Sequence, residues 1–374
     1  MGGGDVDLFI GYGGRTKMDK RVDSNLLLDM SGMLNDIGFN LDDELGVANM
    51  AEYHYDDGAV YGFPTKYENS RWILINEDMF KEAGLDIPYD GWTYSEFLTD
   101  AEKLTHGEGQ DKVYGVCWAR KQSGKSILYA LDGVLGANQI YKNEEGTEVN
   151  FDNDVYRAGL NLVKETLDKG YAIPIEDEFS EDISVANTFL QGKCAIMLGV
   201  AQMRLCMDQE NYPHDFMTAL VPAPVPDDEK YNTEFYRKQI GTTGAGDLLS
   251  ISANTKYPEA SFEFAMWYLK GGMSPLVQGG RIPLWNGVNK DEVLSVLKEK
   301  AQGSIDMDSM ENYLSLDTTQ GVAAIKGHAS SEISSAWFEE FDAMCYGKQS
   351  VDQTVQNMEK RGNELIQTEL SSQK

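Results

Sequence analysis

Short apolar runs that alternate with helical patterns are the feature that most constrains the fold of this chain. Trp72–Asn76 (WILIN) is rich in branched side chains, and a helical pattern over Asp78–Ala83 follows it and stops at Gly84. Cys194–Leu198 (CAIML) is a similar run that follows a helical pattern over Ser184–Leu190. Alternation of this kind is typical of α/β proteins and favours mostly parallel sheets that are covered by helices.

Capping signals predict the bounds of several helices. A capping box from Thr93 to Glu96 opens a predicted helix over Tyr94–Leu104, and Gly170 closes a long amphipathic pattern over Asp154–Lys169. The other predicted strands are Asp7–Ile10, Val113–Trp118 and Asp247–Ser252; the other predicted helices are Ser126–Leu135, Pro258–Lys270, Asp291–Ala301, Ser331–Tyr346 and Val351–Leu370; and the proline-rich Val221–Lys230 is a predicted loop.

Length and charge exclude several classes of protein. The 374 residues correspond to about two domains, and a hydrophobic content of 41% is enough for packed cores. Acidic residues outnumber basic ones by 61 to 32, so the net charge of −29 repels phosphate backbones and argues against nucleic acid as a partner. No apolar run reaches the roughly 20 residues of a membrane span. The start, Met1-Gly-Gly-Gly-Asp5, lacks the basic and apolar segments of a signal peptide.

Two glycine-containing segments approach phosphate-binding motifs without completing them. Ala119–Ser126 (ARKQSGKS) ends like a P-loop and lies between a predicted strand and a predicted helix, but Ala119 stands where the motif needs glycine. Gly11–Thr16 begins at the end of a predicted strand. A dinucleotide-binding fingerprint, however, needs glycine at the position of Thr16 and a helix that begins immediately. We interpret the first segment as a lysine-bearing loop and the second as a flexible strand-end loop.

The remaining reactive side chains select neither a metal site nor a catalytic apparatus. The four histidines are scattered, and the four cysteines form no C-x-x-C pair. Cys117 and Cys194 lie in apolar runs, which predicts buried, inert thiols. Because 61 carboxylates make a chance pair unavoidable, no glycosidase pair can be chosen. No cofactor and no metal are expected.

Aromatic residues beside predicted strand ends are more informative. Ligands of open α/β sheets bind beyond the carboxyl ends of the strands, and aromatic faces there suit the C–H faces of sugars. For each single ring, packing in the core is the alternative. The aromatic residues in such positions are Tyr12, Tyr67, Trp72, Trp118 and Trp285.

Several ordered motifs resemble those of one family. The most specific block is Tyr61–Pro64 (YGFP) followed by Trp72–Leu85 and Trp92–Phe97. Gly4–Ile10, Phe189–Met197, Pro258–Phe264, Gly280–Pro283 and Gly347–Gln353 add further matches in family order. From Asp5 to about Ile366, the chain resembles the family 1 extracellular solute-binding proteins of ABC importers, the sugar-binding type related to maltose-binding protein.

The resemblance implies a type II periplasmic-binding-protein-like α/β fold, in which a hinge joins two lobes and the ligand lies between them. Lobe I is expected to comprise residues 1–112 plus 241–302, and lobe II residues 113–240 plus 303–374. The chain begins near the family's second strand, roughly one strand–helix unit after the usual start. We therefore expect lobe I of this chain alone to be destabilised.

The resemblance also implies a function, which is binding and not turnover. We expect a monomer outside the cytoplasm, as a cell-surface lipoprotein or in the periplasm, that captures a sugar or oligosaccharide by hinge closure. It would deliver this ligand to ABC permease subunits in the membrane. The ligand-binding residues carried over by family position are Tyr12, Arg15, Tyr67, Glu68, Arg71, Arg120, Lys121, Gln202, Arg204, Thr243, Trp285 and Trp337.

Two other interpretations of the function remain open from the sequence. Val200-Ala201-Gln202 stands where maltose-binding protein stacks a tryptophan, which argues against maltodextrins but leaves other sugars open. The acidity of the chain permits a polyamine or other small cation as the ligand of the same fold. A P-loop nucleotide-binding or glycoside-processing enzyme is the alternative from a different class.

Overall fold

The structure is a computed structural model that describes residues 6–12, 14–50, 53–67, 72–118, 140–180, 185–198, 202–231, 233, 237, 247–272, 274–316 and 327–372. Its strands are β1 (Leu8–Gly11), β2 (Phe63–Pro64), β3 (Lys66–Tyr67), β4 (Trp72–Asn76), β5 (Tyr114–Cys117), β6 (Cys194–Leu198), β7 (Thr218–Pro222), β8 (Leu248–Ile251) and β9 (Ile282–Pro283). Its helices are α1 (Gly14–Asp23), α2 (Ser31–Asp36), α3 (Leu41–Leu45), α4 (Val47–Met50), α5 (Glu77–Glu82), α6 (Tyr94–Leu104), α7 (Asp154–Asp168), α8 (Ile175–Ser180), α9 (Val185–Leu190), α10 (Met203–Cys206), α11 (Pro258–Trp267), α12 (Ser274–Val277), α13 (Lys290–Ala301), α14 (Met307–Ser315), α15 (Ser330–Cys345) and α16 (Val351–Ser372).

The chain divides into two compact units. The first takes its described residues from Met1–Asn69 and Gly241–Lys300, and the second from Ser70–Ile240, Ala301–Leu316 and Ile325–Lys374. These units differ from the predicted lobes over residues 70–112, which were expected in the first lobe. They belong to the second unit because β4 lies in one sheet with β5, β6 and β7, and α6 packs on β5.

In the first unit, β8 is the central strand of an antiparallel sheet with the order β1-β8-β2. Gly11, the last residue of β1, lies opposite Leu248, the first residue of β8, and Pro64 of β2 lies opposite the same residue. β3 and β9 form a second antiparallel pair, in which Lys66 lies opposite Pro283. The end of β1, the end of β2 and the start of β8 therefore meet at one edge of the sheet.

In the second unit, the sheet order is β5-β6-β4-β7, and every residue of β4, β6 and β7 is buried. β5 and β6 run parallel, whereas β4 pairs antiparallel with both β6 and β7. The pairs in the first unit are antiparallel as well. The prediction of mostly parallel sheets is therefore wrong, because strands from distant parts of the chain are inserted between sequential ones and local alternation does not encode their direction.

Local capping predicted helix bounds well. α6 has its capping box: Thr93 Oγ1 accepts a hydrogen bond from the Glu96 amide at 3.3 Å, and Glu96 Oε2 accepts one from the Thr93 amide at 2.7 Å. The side chain of Asn153 caps α7 by accepting from the amides of Val155 and Tyr156. These caps give partners to amides that have none within the helix, which favours a helix start at the observed residue.

Three local predictions fail and one falls outside the described residues. α1 begins at Gly14, separated by two residues from the end of β1, so the interpretation of Gly11–Thr16 as a flexible loop is wrong from Gly14 onward. Glycine disfavours a helix locally, but burial of Met18 at 1% exposure anchors this one. α11 ends at Trp267 and continues as a π-helical turn, and β7 extends into the predicted loop 221–230. The predicted helix 126–135 lies outside the described residues.

The cysteines of the second unit also depart from expectation. Cys117 on β5 and Cys194 on β6 form a disulfide, so the prediction of inert thiols is wrong for both. Because the two cysteines are 77 residues apart in the sequence, no local pattern showed that their strands are neighbours in the sheet. Cys206 and Cys345 are free, and burial raises the pKa of the Cys206 thiol to about 12. Among the described residues, no helix combines the length and the apolar character that crossing a membrane requires.

Thiol counting tests this arrangement. In denaturant without reductant, we expect two of the four cysteines to react with a thiol reagent, and all four after reduction. In the native state, the buried Cys206 thiol should react slowly because it stays protonated. Four reactive thiols before reduction would contradict the disulfide.

The packing of α6 on β5 depends on one glycine. A Cβ at position 115 would lie 2.3 Å from the carbonyl oxygen of Ala101 in α6. We expect Gly115→Ala to destabilise the protein by about 1–3 kcal/mol, because backbone must move to relieve the clash. Gly271→Ala, where a Cβ meets no atom within 4 Å, is the matched control. Equal midpoints in denaturant for the two variants would refute this account of the packing.

Candidate functional site

Polar and aromatic side chains gather at the edge of the first unit where β1 ends and β8 begins. Tyr12 directly follows β1 and is 68% exposed. Asp247 directly precedes β8, and its Oδ2 lies 2.8 Å from Nζ of Lys66 at the start of β3. Arg281 directly precedes β9, the strand that pairs with β3. We call Tyr12, Lys66, Asp247, Tyr268 and Arg281 the edge cluster.

Tyr268 is coupled electrostatically to the other four side chains of this cluster. Burial raises the pKa of its half-buried phenol, the guanidinium of Arg281 opposes the rise, and Tyr12 and Asp247 add to it. Lys66 lowers the same pKa. Because its pKa is raised, the phenol hydroxyl stays protonated at neutral pH and can donate a hydrogen bond.

A further cation lies against the end of β1. A Cβ at position 11 would lie 3.0 Å from Nη1 of Arg21, so Gly11 is the residue that allows this guanidinium to approach the strand. The central carbon of the Arg21 guanidinium lies 5.8 Å from the ring centre of Phe9. Sequence reasoning missed Arg21, because its helix, α1, was not predicted.

Trp285 is held by hydrogen bonds two residues after β9. Its indole Nε1 donates to Glu44 Oε2 at 2.7 Å, and the amide of Asn286 donates to the Glu44 carbonyl oxygen at 2.9 Å. The ring lies against Gly287, where a Cβ would lie 2.2 Å away. The indole is half-buried and fixed in orientation on the first unit, which keeps it as a candidate for contact with a ligand.

Arg15 has partners within its own unit. Its Nε donates to Asp19 Oδ1 at 2.6 Å, its Nη1 donates to the His54 carbonyl oxygen at 2.8 Å, and its guanidinium lies 3.7 Å from the ring centre of Tyr55. The side chain is 7% exposed. These contacts make Arg15 a structural link between α1 and the segment around His54.

The tryptophans predicted in the second unit lie in its core. Trp337 is 2% exposed and stacks on Phe341 with the ring centres 4.9 Å apart, so it does not present a ring to a ligand. Trp72 is buried with its edge toward Tyr313, and Trp118 donates from Nε1 to Thr166 Oγ1 at 2.8 Å. Core packing, which was the alternative interpretation for Trp72 and Trp118, describes these two rings and Trp337 as well.

The other predicted residues are only partly covered by the description. Gln202 directly precedes α10 and is half-buried, and Arg204 on α10 is exposed. The backbone of Tyr67 lies in β3, but its side chain is outside the described part. Glu68, Arg71, Arg120, Lys121 and Thr243 lie outside the described residues, as does the P-loop-like segment 119–126. Within the described ranges, His, Cys, Asp and Glu side chains form no group of three or more that could hold a metal ion.

The contrast between Trp337 and Tyr12 is open to test. Trp337→Ala should lower the free energy of unfolding by about 3–5 kcal/mol, because it empties a packed core position. Tyr12→Ala should change it by less than about 0.5 kcal/mol, because the ring is mostly in solvent. Denaturant unfolding of both variants measures the difference. A large loss of stability in Tyr12→Ala would show that this ring is structural.

Comparisons with known proteins indicate a solute-binding protein. Residues 1–270 match the family model described as bacterial extracellular solute-binding protein. A sugar transporter from Rhizobium etli, solved in an open conformation, is 17% identical with a TM-score of 0.70, over 98% of this chain and 86% of that one. An ABC substrate-binding protein from Listeria monocytogenes in complex with cycloalternan is 16% identical with a TM-score of 0.69, over 96% and 84%. The cyclic α-maltosyl-1,6-maltose binding protein of Arthrobacter globiformis is 17% identical with a TM-score of 0.67, over 97% and 85%.

These likenesses confirm the predicted fold class, a type II periplasmic-binding-protein-like α/β fold. The family resemblance is confirmed as well, since the family match spans more than half of the chain. The family consists of binding proteins that act outside the cytoplasm. The chain belongs to the bacterial extracellular solute-binding proteins.

Proposed function

We propose that this protein captures a sugar or oligosaccharide outside the cytoplasm and delivers it to the permease of an ABC importer. The ligands of several structurally similar proteins support a sugar: cycloalternan, cyclic α-maltosyl-1,6-maltose and, for a protein from Agrobacterium vitis, D-mannitol. As a delivery subunit, it would act as a monomer, either anchored as a lipoprotein or free in the periplasm.

The observation that carries the proposal is the exposed ring of Tyr12 beside polar side chains of the edge cluster. An aromatic side chain that is 68% exposed makes little contribution to the core, and its face is available to the C–H face of a sugar ring. The phenol of Tyr268 and the guanidinium of Arg281 supply donors, and the Asp247 carboxylate supplies acceptors for hydroxyl groups. An apolar face with convergent polar groups is the usual composition of a small-molecule site.

The edge cluster argues for binding without turnover. Hydrolysis of a glycosidic bond normally needs two carboxyl groups that flank it. In the described residues, the cluster has one carboxylate, Asp247, and Lys66 holds it in an ion pair. A glycoside-processing enzyme is therefore disfavoured at this edge.

The cluster also argues against a cationic ligand. In the part of the chain that the structure describes, this edge holds the cations Arg21, Lys66 and Arg281 and the carboxylate Asp247. A polyamine would meet repulsion there, since a like charge close by costs free energy.

Isothermal titration calorimetry with mono- and oligosaccharides, spermidine and Mg-ATP tests the proposal. We expect one sugar to bind at a 1:1 ratio and to be recovered unchanged by chromatography. At 100 times its Kd, it should add about 2.7 kcal/mol of apparent stability. Binding of spermidine or Mg-ATP alone, or formation of a sugar product, would contradict the proposal.

The position of the site is tested with a variant. Tyr12→Ala should weaken binding of that sugar by about three- to tenfold, which corresponds to the loss of one aromatic face. Tyr257→Ala is the matched control, because Tyr257 is 63% exposed and lies on the same unit, beyond the opposite end of β8. Equal Kd values for the two variants would place the site elsewhere.

A further inference from the structure

The balance of charge at the edge cluster is the reverse of that in the whole chain. Acidic residues outnumber basic ones by 61 to 32 over the sequence. Among the described residues, this edge brings together three cations, Arg21, Lys66 and Arg281, and one acid, Asp247. A surface that is acidic overall but basic at one small place concentrates anions at that place.

One of the three cations is neutralised within the protein. Lys66 Nζ lies 2.8 Å from Asp247 Oδ2, and the two side chains are only 15% and 22% exposed. Because Asp247 is paired with Lys66, no described carboxylate forms an ion pair with Arg21 or Arg281 at this edge.

Arg281 differs in this respect from other arginines of the described chain. Arg15 is paired with Asp19, Arg157 with Asp152 and Asp352, and Arg361 with Glu339 and Glu340. Over the described residues, no carboxylate forms an ion pair with Arg281, although its backbone is fixed by a hydrogen bond from its amide to the Leu276 carbonyl oxygen at 3.2 Å. A half-buried guanidinium without a counter-charge is a preorganised site for an anion.

We propose that the sugar bound at the edge cluster carries a negatively charged group, which pairs with the guanidinium of Arg281; this inference rests on the proposed function. The planar fork of arginine donates two parallel hydrogen bonds to a carboxylate, sulfate or phosphate. The exposed ring of Tyr12 then contacts the sugar ring beside this group. A neutral sugar makes the contact with the Tyr12 ring but leaves the charge of Arg281 without a counter-charge from the ligand.

Calorimetry on matched ligands tests the inference. The probes are a uronic-acid disaccharide and its neutral, carboxyl-reduced counterpart, together with a sugar phosphate and a sulfated disaccharide. We expect an acidic member to bind at least tenfold more tightly than its neutral counterpart and to lose affinity as salt rises. Which acidic member binds best distinguishes a carboxylate from a phosphate or a sulfate.

Variants assign the effect to one side chain. Arg281→Gln should weaken binding of the acidic ligand at least tenfold and remove the preference over the neutral one. Arg281→Lys keeps the charge but loses the planar fork, so its affinity for the acidic ligand should lie between those of the wild type and Arg281→Gln. Lys256→Gln is the control, since this exposed residue lies on the same unit beyond the opposite end of β8. Unfolding midpoints of the variants show whether they are folded, and Arg281→Lys keeps the test valid if Arg281→Gln is unstable.

The outcomes separate this inference from the proposed function. If the neutral member binds as tightly as the acidic one, or if Arg281→Gln leaves the preference unchanged, the inference fails while sugar binding stands. If neutral and acidic sugars all fail to bind, the proposed function fails and the inference fails with it.

Discussion

The pairing of β8 with both β1 and β2 is the constraint on which the first unit depends. β8 arrives more than 180 residues after β2 and takes the central place between two strands from the start of the chain. Its four residues are all buried, and its first residue brings Gly11 and Pro64 to one edge. The same insertion places Asp247, which directly precedes β8, where its carboxylate pairs with Lys66.

Burial divides these aromatic residues into two groups with different roles. Trp72, Trp118 and Trp337 fill the core of the second unit, where a large ring stabilises the protein most and a ligand has no access. Tyr12 and Trp285 keep exposed surface on the first unit, and Trp285 is held in place by Glu44. Tyr12, Trp72, Trp118 and Trp285 all lie near predicted strand ends in the sequence, so this position did not distinguish exposed rings from buried ones.

The sequence predicted those parts of the fold that depend on short stretches. β4, β6 and α6 have the predicted bounds, because branched apolar runs and a capping box are local signals. It did not predict strand direction, the disulfide or α1, which depend on distant partners or on tertiary burial. Of the edge cluster, Tyr12 was predicted from its strand end, whereas Lys66, Asp247, Tyr268 and Arg281 come from separate segments that no local pattern connects. The same is true of Arg21, which lies against the end of β1.

The central claim is that a sugar binds at the edge where β1 ends and β8 begins. Hydrogen exchange measured by mass spectrometry, with and without a bound sugar, tests it most directly, because ligand contacts slow the exchange of nearby amides. The account predicts protection in peptides that cover residues 8–12, 63–67 and 281–285. Saturating sugar that leaves all three peptides unchanged while it protects amides elsewhere would contradict the account.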